Sequence, residues 1–311
     1  MQKLKVIDGV DMLNYNVPSR EMLLLPWLSG ESINLLYAKR GVGKTQMALG
    51  LSAAVATQTS FLNWEAPSAQ KVLYVDGEVP ISELKKRVCR LQNSGRKLRI
   101  LNGSIQCFGM PNIRTTEGQD WLETVVCKDT KLIVIDNLSC LVGGNENDAE
   151  SWDNIGEWAM RKRSQGVSVL FVHHAGKEGQ QRGTSRREDL MDCIISLKHP
   201  KDYEAKQGAR FEVRFEKARF LSGTEATPFT VNLKTEKGKD IWNIEENPTQ
   251  KEKRAILLQK VAQLLEEGRS NTEIAIVLKR SRKHIWELSN KINSQHPLPN
   301  VVTKKPPTPP W

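Results

Sequence analysis

Apolar residues come in short runs rich in β-branched side chains: INLLYA at 33–38, KVLYVD at 71–76, KLRIL at 97–101, KLIVID at 131–136 and VSVLFVHH at 167–174. Between them lie stretches with helical spacing near 44–57, 81–93, 118–127 and 149–164. Strands apolar on both faces and separated by helices predict a buried, mostly parallel sheet of βαβ units. After residue 190 the texture changes. DCIISLKH (192–199), ARFEVRFEKARF (209–220) and TPFTVNLK (227–234) follow closely with turns between, which predicts an antiparallel meander on the sheet edge.

A break follows at EENPTQ (245–250), where Pro248 and its polar neighbours mark a boundary. Residues 251–267 have amphipathic helical spacing, and EGRSN then turns the chain. Asn271 or Ser270 can cap a short helix carrying Ile274 and Leu278. Ser281 can cap the next, which carries Ile285, Leu288 and Ile292 at i, i+3, i+7. This is helix-turn-helix texture over 250–295. The end, KKPPTPPW, predicts an unfolded proline-rich tail over 296–311.

The chain of 311 residues is long enough for one large α/β domain and a small appendage. Its net charge is +10, and residues 251–311 hold 12 Lys+Arg against 5 Glu, so most of the excess sits in the last fifth. A basic terminal module points to a polyanion such as nucleic acid, or else to a solvated charged face. The five cysteines are scattered singly, without metal-ligand spacing, so neither a zinc site nor a disulfide framework is indicated and a reducing, cytoplasmic setting is expected. No apolar run approaches the roughly 20 residues of a membrane span, and no membrane association is expected.

The stretch NLLYAKRGVGKTQMALG (34–50) carries the clearest chemistry. Glycines at 41 and 43 permit backbone angles that turn successive N–H groups toward one anion. Lys44 reaches β- and γ-phosphates, the Thr45 hydroxyl can bind Mg²⁺, and the following helix aims its N-terminus at the charge. The expected nucleotide contacts are Arg40, Gly41, Val42, Gly43, Lys44, Thr45 and Gln46. Ala38 stands where this motif has its first glycine. At a strand end with negative φ its methyl group costs little, whereas a side chain at Gly43 is expected to enter the phosphate cradle.

KLIVIDNLS places Asp136 at the tip of a buried strand, where its carboxylate can hold Mg²⁺ directly or through water. KVLYVDGEVP offers Asp76 and Glu78 just after another strand, and Glu78 is favoured as the group that orients or deprotonates the attacking water. His173 and His174 end a third strand, where a hydrogen-bonding side chain can contact the γ-phosphate and respond to its loss.

With these pieces in order, residues 25–235 resemble the RecA-like ATPases, particularly the hexameric helicase branch that includes DnaB-type replicative helicases and the RepA helicase of broad-host-range plasmids. The resemblance implies a RecA-like α/β core over 31–245 with an antiparallel C-terminal edge, an N-terminal segment over 1–30, and ATP with Mg²⁺ at the site. It implies that Glu78 is the catalytic carboxylate, that Asp136 is the metal-side residue, and that His174 is the sensor. Such helicases place a Lys-x-Arg pair on a late strand. In FEKARF the pair is Lys217 and Arg219, inserted into the ATP site of a neighbouring subunit; without the resemblance, the same residues read as cross-strand ion pairing. An arginine supplied in trans implies a ring, a homo-hexamer. RGTSRREDLMD and NENDAESWDNIGEWAMRKRSQG look like plasmid- or phage-associated ATPases.

In such rings the loops after the later strands face the channel. Lys177, Arg182, Arg186 and Arg187 are therefore candidates for contacts to single-stranded DNA, with pairing to Glu178, Glu188 and Asp189 as the alternative. In the C-terminal module Arg282 and Lys283 are candidates for duplex DNA, with protein docking as the alternative. Two functions remain: an ATP-driven DNA motor, and an ATP-dependent DNA-binding regulator or loader that does not unwind.

Overall fold

The computed structural model describes residues 6–17, 19–142, 149–176, 185–221, 223–245, 250–278, 280 and 282–295. The expected tail over 296–311 and the expected cap at Ser281 lie outside the described residues. The chain divides into two units, Met1–Glu246 and Asn247–Trp311.

The first unit is built on a nine-stranded sheet. Its strands in chain order are β1 (Ile33–Ala38), β2 (Lys71–Asp76), β3 (Leu98–Asn102), β4 (Thr130–Asp136), β5 (Ser168–His174), β6 (Cys193–Lys198), β7 (Arg210–Ala218), β8 (Phe229–Glu236) and β9 (Lys239–Glu245). Across the sheet they run β9-β8-β7-β6-β1-β5-β4-β2-β3. The six from β6 to β3 are parallel, and β7 to β9 form an antiparallel meander. Among the described residues, a short helix at Gly9–Leu13 precedes the sheet and five helices follow the strands: α1 (Lys44–Thr57), α2 (Ile81–Arg90), α3 (Thr116–Glu123), α4 (Ala149–Ser164) and α5 (Ser185–Leu190).

Alternation along each parallel strand feeds two cores, one on each face. Leu36, Val72, Tyr74, Leu132, Val134, Leu170 and Val172 pack on the face covered by α1. Leu35, Leu73, Val75, Ile133, Ile135, Val169 and Phe171 pack on the other, against Trp152, Ile155, Trp158 and Ala159 of α4. Helix α1 is apolar on nearly all sides because it is covered twice. Its outer side meets Phe61 and Trp64 of a short hairpin (Ser60–Phe61, Trp64–Glu65), and Phe61 in turn meets Trp242 of β9 at a centroid distance of 5.3 Å.

Three features depart from expectation. Residues 193–198, expected in the antiparallel meander, form β6, which is parallel to β1 and antiparallel only to β7, so the meander begins one strand later. Strand β9 was not expected; it pairs with β8 through the two-residue turn Lys237-Gly238, both at positive φ (50° and 74°), the geometry that keeps the twist of a tight hairpin. Residues Leu23, Leu24, Trp27 and Leu28, within the expected 1–30 segment, are buried in the α1-side core.

The second unit has three described helices, α6 (Gln250–Glu266), α7 (Asn271–Val277) and α8 (Arg282–Gln295). Val261, Ile274, Ala275, Ile285 and Leu288 form its core. Of the two candidate caps for α7, Ser270 acts: its hydroxyl accepts from the Glu273 amide, and the Glu273 carboxylate accepts from the Ser270 amide.

Candidate nucleotide site

Strand register brings the expected residues into one row. Ala38 at the tip of β1 lies opposite His174 of β5, Val172 of β5 opposite Asp136 of β4, and Asp136 opposite Asp76 of β2. The C-terminal tips of four adjacent parallel strands thus border one crevice, where open α/β sheets place ligands. An open cleft of about 390 Å³ lies there, lined by Arg40, Gly41, Gly43, Lys44, Thr45, Gln46, Glu78 and His174 together with Arg87 of α2.

Ala38 closes β1 as an extended residue, so its methyl group needs no left-handed backbone. Gly41 and Gly43 do need one, with φ of 80° and 125°. A side chain at Gly43 would not enter the cradle as expected: a Cβ built there lies 2.8 Å from Phe211 Cε1 of β7. The antiparallel extension therefore braces the loop from behind. Val42 is buried in the core, so only its backbone is available to a ligand.

Lys44 is buried, and its Nζ donates to the carbonyls of Ala38 (3.3 Å) and Lys39 (3.2 Å). Burial lowers its pKa, against the opposing charges of Asp136 and Glu78. Asp136 is buried beside it and accepts hydrogen bonds from the Tyr74 phenol and the Thr45 side chain. Burial pushes its carboxyl up to about 6, and the nearby Asp76 adds to this, while Tyr74, Thr45 and Lys44 act the other way. A hydroxyl and a carboxylate in mutual contact, next to a lysine in a phosphate loop, fit Mg²⁺ carried by a triphosphate. Thr45 and Asp136 would hold that ion.

Asp76 and Glu78 have different tasks. Asp76 is fully buried, and its Oδ1 accepts from the amides of Glu78 (2.9 Å) and Val79 (3.0 Å). It therefore builds the turn that presents Glu78. The Glu78 side chain is half exposed, and its Oε2 accepts from Asn137 Nδ2 and lies 3.6 Å from His174 Nε2. Asn137 Nδ2 also lies 3.1 Å from His174 Nε2. Asn137 thus joins the carboxylate to the histidine. Of the histidine pair, His174 lines the cleft, while His173 pairs with Tyr37 inside the sheet.

Asn137, Tyr74 and Arg87 were not expected at the site. The only signal for Asn137 was its place directly after Asp136; Tyr74 reads as an ordinary strand residue.

Lys217 and Arg219 lie elsewhere. Lys217 is opposite Ile194 and Ala218 opposite Cys193, which itself pairs with Asn34 near the start of β1. Five residues of β1 therefore separate them from the phosphate loop, roughly 16 Å along the strand. They do not reach the cleft of their own chain. Lys217 Nζ donates to the Glu188 carbonyl, and Arg219 Nη2 to the Asp189 carbonyl at 2.6 Å. Lys177 and Arg182 lie outside the described residues, as do the side chains of Arg186, Arg187 and Lys283. In the second unit Arg282 and Lys291 are exposed on α8, and Trp286 is 46% exposed. Among the described residues no helix is long and apolar enough to cross a membrane.

Comparisons with known proteins agree with this architecture. The chain is 26% identical over 185 residues to the DNA repair protein RadA of Listeria monocytogenes, covering 58% of this chain and 36% of RadA. It is 24% identical over 189 residues to RadA of Campylobacter jejuni, covering 59% and 37%. It thus spans little more than a third of the length of these curated relatives. Among solved structures, a KaiC-like protein from Pyrococcus horikoshii superposes with a TM-score of 0.51 at 14% identity, over 69% of this chain and 90% of that one. The flagellar accessory protein FlaH from Methanocaldococcus jannaschii gives 0.50 at 12%, over 70% and 91%. The fold is that of RecA-like P-loop ATPases. A family model described as AAA domain matches residues 3–180, and the chain belongs to that family.

Proposed function

We propose that this protein hydrolyses ATP and uses the hydrolysis to act on DNA, as a RecA-like motor of the helicase type serving replication of a plasmid, phage or other mobile element. The observation that carries the reading is the cleft lined by Lys44, Thr45, Glu78 and His174 at adjoining strand tips, with Asp136 buried against Thr45 and Lys44 at its edge. Backbone amides around Gly41 and Gly43 and the ammonium of Lys44 bind and orient the triphosphate. Thr45 and Asp136 would hold Mg²⁺, which would supply positive charge against the charge that develops on the phosphates. Glu78, turned outward by Asp76 and held by Asn137, accepts a hydrogen bond from the attacking water and takes its proton. His174 touches the same carboxylate and responds when the terminal phosphate departs.

Lys217 and Arg219 sit too far from their own cleft to serve it, which supports their action in a neighbour's and hence a ring, taken as a homo-hexamer. The relatives named DNA repair proteins support DNA as partner. A second reading, an ATP-dependent DNA-binding regulator or loader, is favoured by the separate three-helix unit with cations and Trp286 exposed on α8, a helix-turn-helix arrangement suited to duplex DNA.

The test uses the full chain. Turnover stimulated many-fold by single-stranded DNA with strand displacement is expected; ATP-dependent assembly on duplex without displacement would select the second reading. Lys44→Ala abolishes both activities, and turnover surviving it would overturn the site. Arg219→Ala is expected to regain turnover when mixed with Glu78→Gln, because the mixed ring contains sites with an intact cleft on one side and an intact arginine on the other.

A further inference from the structure

Asp192 stands between α5 and β6 with 2% of its surface exposed, and it ties three elements together. Its amide donates to the Ile33 carbonyl at 2.7 Å, and its Oδ2 accepts from the Ile33 amide at 3.0 Å, so it clasps the first residue of β1 on both sides. The same Oδ2 lies 3.5 Å from Arg163 Nη1 of α4. Its Oδ1 accepts from Arg219 Nη1 at 3.4 Å, and its carbonyl accepts from the Arg219 amide at 3.0 Å.

A carboxylate so deeply buried is tolerated only when its lone pairs are answered, and an amide and two guanidiniums answer them here. The arrangement also does something to Arg219. Main chain and side chain are both fixed to Asp192, and Nη2 is fixed to the Asp189 carbonyl beside it. Lys217 is hung from the neighbouring Glu188 carbonyl. Yet the Arg219 side chain remains 43% exposed, so it is anchored from behind with an outward face available. An ordinary surface ion pair would leave an arginine many rotamers; a guanidinium held at once by the buried Asp192 carboxylate and the Asp189 carbonyl, on a main chain fixed to Asp192, has few.

We propose that Asp192 is the positioning residue of the Lys217/Arg219 pair, setting the angle at which the arginine enters the cleft of a second copy of this chain. The inference rests on the trans role given to Arg219 above. It adds that the arginine's aim is set by the chain that supplies it, through a carboxylate that also clasps the strand leading into that chain's own phosphate loop.

Asp192→Asn keeps the shape and removes the charge. In the full-length assembly, turnover at saturating ATP is expected to fall at least tenfold, with KM, nucleotide affinity and assembly size within twofold of wild type. Mixed with Glu78→Gln, whose arginine face is intact, Asp192→Asn is expected to recover turnover severalfold above the two variants alone. Recovery identifies a defect in the donating face. If Asp192 merely supports β1, the variant's own cleft weakens, nucleotide affinity drops, and mixing restores nothing; that result overturns the proposal.

Should Asp192→Asn fail to fold, Asp192→Glu retains the charge and moves it by one methylene. The same loss of kcat at constant KM supports the proposal, and wild-type turnover overturns it. Arg219→Ala mixed with Glu78→Gln is read in parallel. Recovery there without recovery for the Asp192 variant removes Asp192 alone. Full activity of Arg219→Ala by itself removes the trans role beneath it.

Discussion

The phenol of Tyr74 donates a hydrogen bond to Oδ2 of Asp136, between the adjoining parallel strands β2 and β4. Metal binding needs Asp136 ionised, and its carboxyl is pushed up to about 6, chiefly by burial. Turnover that depends on Mg²⁺ is therefore expected to fall as pH drops through about 6. Tyr74 works against that rise, because its bond favours the charged form. Tyr74→Phe removes a bond to a charged group worth about 1.5–3 kcal/mol, which corresponds to an upward move of the acid limb by about one to two pH units. The pH profile of kcat/KM measures this, and an unmoved limb in Tyr74→Phe would assign that limb to another group.

The same burial predicts opposite effects on stability and activity. Because the folded-state value of about 6 lies above the ordinary 3.8, the protonated carboxyl favours the fold below about pH 4. That contribution is lost as pH rises through 6, and above it the ionised group is a standing cost without its metal. Two pKa units correspond to about 3 kcal/mol as an upper bound. Asp136→Asn is expected to raise the unfolding free energy by about 1–3 kcal/mol at pH 7.5 without divalent ions, to lose that advantage near pH 4, and to eliminate turnover. Denaturant unfolding at several pH values checks the sign.

Glu78 is exposed and held by side chains, so its removal disturbs chemistry more than folding. Glu78→Gln is expected to lower kcat by about 10²–10⁴ while nucleotide affinity stays within about twofold. Asn137→Ala, which leaves the carboxylate in place and removes its tether, is expected to fall between Glu78→Gln and wild type. Single-turnover hydrolysis beside equilibrium nucleotide binding separates the two quantities, and a loss of affinity equal to the loss of rate would place these residues in binding instead.

Much of the parallel core was legible because its central strands are apolar on both faces and helices lie between them: β1, β2 and the end of β4 fall where the runs INLLYA, KVLYVD and KLIVID predict. Strand β6 was not, because its run lies as close to β7 as the meander strands lie to one another, and its parallel pairing with β1 is long-range. Shorter pieces were not. Ser60–Phe61 and Trp64–Glu65 are two residues each, below any periodicity, and β9 (KDIWNIE) sets charged residues side by side and apolar ones side by side, so it shows no period of two behind its Lys-Gly turn. Helix α3 begins two residues before its expected start because Thr115 caps it, its hydroxyl accepting from the Gly118 amide. At the site, Lys44, Thr45 and Asp136 carry recognisable spacing. The division of labour between Asp76 and Glu78 depends on which carboxylate meets the amides of the turn, and Asn137 and Asp192 act through partners 27 to 159 residues away. Contacts of that range leave no local pattern.

Gly43 provides a test of how the loop is braced. Its φ of 125° suits glycine, and a Cβ there points at Phe211, 2.8 Å from Cε1, with Ala209 Cβ at 3.6 Å. Gly43→Ala therefore meets two penalties, the strained backbone and a clash with a buried ring that packs in the α1-side core. Together they are expected to cost about 2–6 kcal/mol of stability, backbone strain and overpacking each contributing about 1–3. Nucleotide affinity falls with them because the loop shifts. Phe211→Leu in the Gly43→Ala background makes room for the new methyl group and is expected to recover part of both losses, although Phe211→Leu alone is destabilising. Thermal unfolding and nucleotide titration of the single and double variants give the coupling between the two positions. A side chain that entered the phosphate cradle would behave differently: affinity would fall with stability unchanged, and Phe211→Leu would restore neither.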